Sequence, residues 1–362
     1  MPSIRLSEVT KKYGSTRAAD GLNLEVQDKE YLCILGPTGA GKTTALRMVC
    51  GLTLPSSGRI FFDEQDVTGM EVERREAVML SQVYSLFPHM DVQQNVLFGP
   101  SIKEWSEKDC NRLARSMLEM VHLSNRAQAL PHELSGGMQQ RTALARALAS
   151  GSKVLLLDEP LRALDARLRI ELRKELRSLA KSLELTCIHV THDQDEALVM
   201  ADRIAVLRRG KVMQVGTPKE VFENPNSPFV ANFVGQSNFF TGKVVSKGEW
   251  TIVEDQRGVR VPARPCDMEI GEEVVMAVKV GNTRIKSDEG FLKGTVERML
   301  YEGSNVHVDL VLCDYLRFSV KMPNRKIGEF EVGSPAYVSW NPREALVFPI
   351  PPEGLEEELK VD

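Results

Sequence analysis

The string Gly36-Pro-Thr-Gly-Ala-Gly-Lys42-Thr43 limits what this chain can become more than any other stretch. It fits G-x-x-x-x-G-K-[ST], in which glycines let backbone N–H groups wrap phosphate oxygens, the lysine reaches the outer phosphates and the hydroxyl meets Mg²⁺. The pattern carries that meaning only between a strand and a helix. Here the apolar run Tyr31-Leu-Cys-Ile-Leu35 comes before it, and a helix is expected from Lys42 to Gly51. Residues 1 to about 235 go on alternating strand-like apolar runs with amphipathic helical stretches, the pattern of an α/β layer fold. The expected phosphate cradle is Gly36, Pro37, Thr38, Gly39, Ala40, Gly41, Lys42, Thr43 and Thr44, with Thr43 also on the metal.

Two further strings belong to the same reading. Val154 to Leu157 is a short buried strand that ends in Asp158-Glu159-Pro160. A strand closing on adjacent carboxylates sets one near a metal, through water, and the next where it can polarise an attacking water. Leu134-Ser135-Gly136-Gly137-Met138-Gln139-Gln140-Arg141 places a Ser-Gly-Gly turn at the start of an expected helix, where N–H donors and the positive dipole end favour an anion.

With these strings the N-terminal part resembles the ABC-type ATPases, a P-loop NTPase family. The resemblance implies that Ser135, Gly136 and Gly137 serve a nucleotide held by another copy of the domain. One chain with one of each string then makes half of two composite sites, and a homodimer is expected. It further implies that Gln82 touches Mg²⁺ and the lytic water and that His192, in Val190-Thr-His-Asp193, contacts the γ-phosphate. Tyr13, in Lys12-Tyr-Gly14, stacks on adenine, and Asp165, in Ala163-Leu-Asp165, runs between monomers beside the hydrolytic centre. Glu159, His192 and Gln82 are the expected catalytic residues; Thr43, Gln82 and Asp158 are the expected Mg²⁺ set; ATP is the expected nucleotide. Met138 stands where glutamine is the more familiar residue, and Arg162 where a small polar residue is usual.

After Asn224-Pro-Asn-Ser-Pro228 the character changes. Short β-prone runs dominate from Asn238 on: 239–246, 273–280, 294–300, 305–312, 316–321 and 336–340. They predict a second, all-β domain of OB type over 236–350, following an ATPase domain over 1–235 with a helical subdomain at about 83–150. Residues 351–362 read as an acidic tail. The strings Phe233 to Gly242, Gly294 to Glu297 and Val338 to Phe348 resemble the β appendage (TOBE) of ATPases that serve binding-protein-dependent importers. That family shows an Arg-Pro-Glu string in the middle of this domain, where this chain has Val278-Lys279-Val280-Gly281-Asn282.

The resemblance implies a subunit that works beneath two membrane-spanning permease chains, with an external solute-binding protein delivering the cargo. The apolar connector Val83 to Met90 resembles the groove that receives a helix of the membrane subunit. No apolar run approaches the roughly 18 residues that cross a bilayer, and no secretory signal opens the chain, so the cytoplasmic face of a bacterial or archaeal membrane is expected. The six scattered cysteines are expected to be reduced thiols without metal. The alternative is a soluble ABC ATPase acting on ribosomes or nucleic acid. A net charge of −4, from 46 basic against 50 acidic residues, offers no overall basic field for it.

Overall fold

The structure, a computed structural model, describes residues 2–360, and it divides into two compact units that meet at Pro218 and Lys219. In the first unit the strands run β1 (Ile4–Tyr13), β2 (Thr16–Val26), β3 (Tyr31–Leu35), β4 (Ser57–Phe62), β5 (Gln65–Asp66), β6 (Ala77–Leu80), β7 (Val154–Asp158), β8 (Thr186–Thr191), β9 (Arg203–Arg208) and β10 (Lys211–Gly216). The helices are α1 (Lys42–Cys50), α2 (Val92–Ile102), α3 (Glu107–Met120), α4 (Gly136–Ala149), α5 (Ala166–Ser182) and α6 (Gln194–Met200).

A six-stranded sheet in the order β10-β9-β3-β8-β7-β6 forms the centre, parallel except for the antiparallel β10 edge. Every residue of β3, β7 and β8 is buried, which is why these strands read as continuous apolar runs and not as alternations. The antiparallel sheet β2-β1-β4-β5 shares one core with it, in which Leu6, Val26, Leu32, Leu46, Met48, Leu156 and Val190 are nearly or fully inaccessible. Parallel strands put all their carboxyl ends on one side, and loops leaving that side form the crevice where such sheets bind ligands. β3, β6, β7 and β8 end respectively in the glycine loop, Gln82, Asp158-Glu159 and His192.

Polar motif residues also fix where helices begin. Ser135 caps α4 by accepting from Met138 N, Asp165 caps α5 from Leu168 N, and Asp193 caps α6 from Glu196 N. Each cap satisfies an N–H that the helix itself leaves free. Gly51 ends α1 at φ 89°, where its N–H reaches Met48 O.

The second unit opens with the short helices α7 (Pro218–Glu223) and α8 (Pro228–Gly235). Its strands are β11 (Ser237–Lys247), β12 (Thr251–Glu254), β13 (Arg260–Ala263), β14 (Glu273–Lys279), β15 (Thr283–Lys286), β16 (Leu292–Glu302), β17 (Asn305–Leu312), β18 (Leu316–Pro323), β19 (Pro335–Trp340) and β20 (Ala345–Pro349), followed by the helix α9 (Leu355–Leu359). They make two five-stranded antiparallel sheets, β13-β12-β11-β14-β20 and β15-β19-β16-β17-β18. Phe240, Met276, Val308, Phe318 and Trp340 fill the core, and the Trp340 indole N–H donates to Pro262 O at 3.0 Å. The expected all-β character is shown. β12, β13, β15 and β20 are additional strands that the sequence pattern did not reveal.

Candidate active site

The glycine loop is built by close approach. A Cβ on Gly36 would lie 2.4 Å from Leu207 O, and one on Gly41 2.1 Å from Ala18 O, while Gly41 also sits at φ 95°. Backbone crowds the loop at both positions, so no side chain fits there. No side chain caps the start of α1. Lys42 Nζ donates to Gly36 O and Pro37 O, both at 2.7 Å, and closes the loop on itself. Burial pulls its ammonium below the ordinary lysine value, opposed by the nearby Glu159 and Asp158 charges.

Thr43 and Asp158 come together across 115 residues of chain: Thr43 Oγ1 donates to Asp158 Oδ1 at 3.1 Å. Burial raises the Asp158 carboxyl above the usual range, with the Thr43 hydrogen bond opposing. A hydroxyl beside a carboxylate is the hard oxygen set that suits Mg²⁺, and the glycine cradle in front of it suits phosphate. Gln82 lies two residues beyond β6, which pairs with β7 through Leu80 and Leu157. Its side chain is exposed and makes no hydrogen bond among the described residues, so the three expected metal residues are not assembled into one contact set.

Glu159 is held from three sides. Its backbone sits at φ 50°, a conformation that costs a non-glycine residue on the order of 1 kcal/mol, and its N–H donates to Val190 O at 2.9 Å. Its carboxylate, 11% exposed, has Oε1 3.3 Å from His192 Nδ1 and Oε2 3.0 Å from Arg162 Nη1. Thus two expected catalytic residues meet directly, and the unfamiliar Arg162 takes the other carboxylate oxygen.

The Ser-Gly-Gly turn stands at the surface, with Ser135 and Gly136 exposed. Gln140, one turn into α4 and almost wholly buried, was not singled out in the sequence. Its Nε2 donates to Glu159 O at 3.3 Å and its Oε1 accepts from Ala163 N at 3.1 Å, which ties the helix of that turn to the carboxylate loop. Asp165 spends one oxygen on capping α5. Tyr13 ends β1 half exposed, 5.2 Å from Lys11 Nζ.

The connector from Val83 to Met90 has no regular structure and is pinned by two residues the sequence did not flag. The Asn95 amide, fully buried, accepts from Phe87 N and donates to Phe87 O, Met90 O and Asp91 O. Arg146 donates to Tyr84 O and Ser85 O and stacks over Phe87 at 5.1 Å. With its backbone so fixed, the connector leaves Val83 74% exposed.

Residues 19–162 match the family described as ABC transporter, and residues 264–348 match the TOBE domain. The chain is 38% identical to the spermidine/putrescine import ATP-binding protein PotA of Marinobacter nauticus (strain ATCC 700491 / DSM 11845 / VT8), over 99% of this chain and 98% of that one. It is 36% identical to the sulfate/thiosulfate import ATP-binding protein CysA of Thermosynechococcus vestitus (strain NIES-2133 / IAM M-273 / BP-1), over 96% and 98%. Among solved structures, the dimeric post-hydrolysis state of the ATP-binding cassette MJ0796 bound to ADP and Pi superposes with a TM-score of 0.55 at 30% identity, covering 59% of this chain and 98% of that one.

Proposed function

This chain belongs to the ABC transporter family of ATP-binding import subunits, and from that premise we propose that two copies close around ATP and drive solute uptake through two separate permease chains at the cytoplasmic face of the membrane. The convergence of the glycine loop, Asp158-Glu159 and His192 at the carboxyl ends of adjacent parallel strands supports the site, and the Thr43 to Asp158 contact at 3.1 Å is the observation that carries it.

In this reading the loop N–H groups and Lys42 bind the outer phosphates, the lysine exchanging its contacts with Gly36 O and Pro37 O for phosphate oxygens. Thr43 and Asp158 hold Mg²⁺, with Gln82 joining them; the ion, when bound, neutralises phosphate charge. Glu159 takes the proton from the attacking water while His192 orients against the γ-phosphate. Tyr13 stacks on adenine. Ser135, Gly136 and Gly137 of one copy reach the γ-phosphate bound by the other, and Asp165 lies at the seam. ATP bridges the copies and ADP does not, so hydrolysis reopens the pair; a ligand shifts an equilibrium only by its preference for one state.

Arg162 enters this scheme as a restraint on the base, because it occupies an oxygen of Glu159 that the water would need. Arg162→Ser is expected to raise turnover at saturating MgATP about two- to fivefold, the effect of losing one exposed ion pair of up to about 1 kcal/mol. Unchanged or lower turnover would show that Arg162 does not hold the base.

The exposed Val83 on a pinned connector supports docking of a membrane-subunit helix there. The relatives are named for different cargoes, so the test scans both. Extraction in mild detergent should bring down two polytopic membrane chains, and the assembly in liposomes should hydrolyse ATP faster with a binding protein loaded with polyamine or sulfate. Recovery of ribosomes or nucleic acid in their place would reject transport.

A further inference from the structure

Lys279 closes β14 in the second unit, at the position where the sequence departs from the family string. The residue is 8% exposed, and its Nζ has no hydrogen-bond partner among the described residues. The Phe222 ring compensates it in part, with its centroid 4.2 Å from the ammonium. An unpaired buried ammonium is costly, and proteins retain one where something comes to meet it. Burial pulls Lys279 down to about 8.

The ammonium lines a cavity of about 410 Å³ formed wholly within the second unit. That volume falls in the range of small-molecule sites. Three cations, Lys279, Arg264 and Arg343, face it against two carboxylates, Glu223 and Glu344. Neither carboxylate pairs with Lys279: Glu223 Oε2 lies 3.9 Å from Lys219 Nζ, and Glu344 starts no contact with the ammonium. Arg264 is turned toward Asn224, donating to its Oδ1 at 3.0 Å. Apolar surface comes from Phe222 and Leu346.

We propose that this cavity binds a small metabolite bearing a carboxylate or phosphate group, with the oxyanion on Lys279 Nζ and the less polar part against Phe222 and Leu346. Arg264 and Arg343 add long-range attraction and, on rearrangement, further donors. Such a ligand would give the second unit a sensing role separate from nucleotide turnover.

The test uses thermal unfolding of the full chain, kept in the magnesium complex of a non-hydrolysable ATP analogue, whose own γ-phosphate keeps added anion out of the glycine loop. Inorganic phosphate, succinate and chloride are titrated at matched ionic strength. Phosphate or succinate is expected to raise the midpoint saturably, and chloride not; which of the two acts identifies the anion. Lys279→Met is expected to unfold at higher temperature without anion, since it removes a buried charge, and to need at least about tenfold more phosphate or succinate for half effect. Should Lys279→Met not fold, Arg264→Ala paired with Arg343→Ala must weaken the same response. The proposal is overturned if wild type shows no saturable shift beyond that of chloride, or if the variants keep its half-saturation.

Discussion

Replacing Glu159 by glutamine is expected to cut ATP turnover at least about a hundredfold while ATP binding stays intact, the range that loss of a general base produces. The substitution preserves shape. A glutamine amide can still lie beside His192 Nδ1 and Arg162 Nη1, the two groups 3.3 and 3.0 Å from the present carboxylate. The backbone at φ 50° and the bond to Val190 O are untouched. What is lost is the ability to accept the proton of the attacking water. With hydrolysis blocked, the ATP bridge between copies persists, and a dimer should accumulate in MgATP that is absent in MgADP. Single-turnover hydrolysis and light scattering read the two halves of the expectation. Lys42→Ala is the control in the opposite sense: it weakens nucleotide binding itself and forms no ATP dimer. Near-normal turnover in Glu159→Gln would remove Glu159 from the role of base. A variant that binds ATP, does not hydrolyse it and stays monomeric even with its membrane partners would defeat the composite site.

The parts of this site that could be read in the sequence are those whose chemistry is local. A strand, a glycine loop and a helix succeed one another within 31–50, and β3 and α1 fall where expected because buried apolar continuity and a left-handed glycine cap mark their ends. Ser135 is likewise legible at the start of α4, since an N-cap needs only its own next three residues, whereas the caps that Asp165 and Asp193 make are seen only in the structure. What escaped depends on distance or on backbone twist. Arg162 is only three residues from Glu159, yet their contact requires the positive φ of Glu159, which residue identity does not declare. Gln140 joins loops that meet only after α4 has packed against the sheet. Strands such as β20 pair with partners about seventy residues back, Val274 with Pro349, and are short enough that no period shows. The burial of Lys279 is likewise set by elements far from it in the chain, so the departure at that position was visible but its environment was not.

Acidification should destabilise the first unit through His189, by roughly 2 kcal/mol between pH 6.5 and pH 4.5. His189 lies on β8 with no exposed surface. Its ring shares a hydrogen bond with Tyr31 Oη at 3.0 Å through Nδ1, while Nε2, 3.6 Å from Glu196 Oε2, has no hydrogen-bond partner among the described residues. Burial first, and then the Arg173 charge, lower its pKa to about 3, with Asp193 opposing. In the unfolded chain the ring titrates near 6.5. From 6.5 down to about 3 the unfolded state therefore holds a proton that the folded state refuses, and stability drains away as pH falls; above 6.5 it is fully present. Glu196 acts in the other direction, because burial raises its carboxyl and the folded state takes its proton more readily. It therefore opposes part of the histidine effect. For a unit of this size the histidine contribution corresponds to a fall of about 5 to 9 °C in Tm. His189→Gln keeps a polar partner for Tyr31 and has no proton to gain, so its Tm should fall far less over the same interval, even where its Tm at pH 7 is lower. Equal slopes for wild type and His189→Gln would show that acid acts elsewhere. The consequence reaches the site, since β8 carries Thr191 and His192 at its end and Val190 O anchors Glu159. ATP turnover should therefore be absent wherever the fold is lost as pH drops.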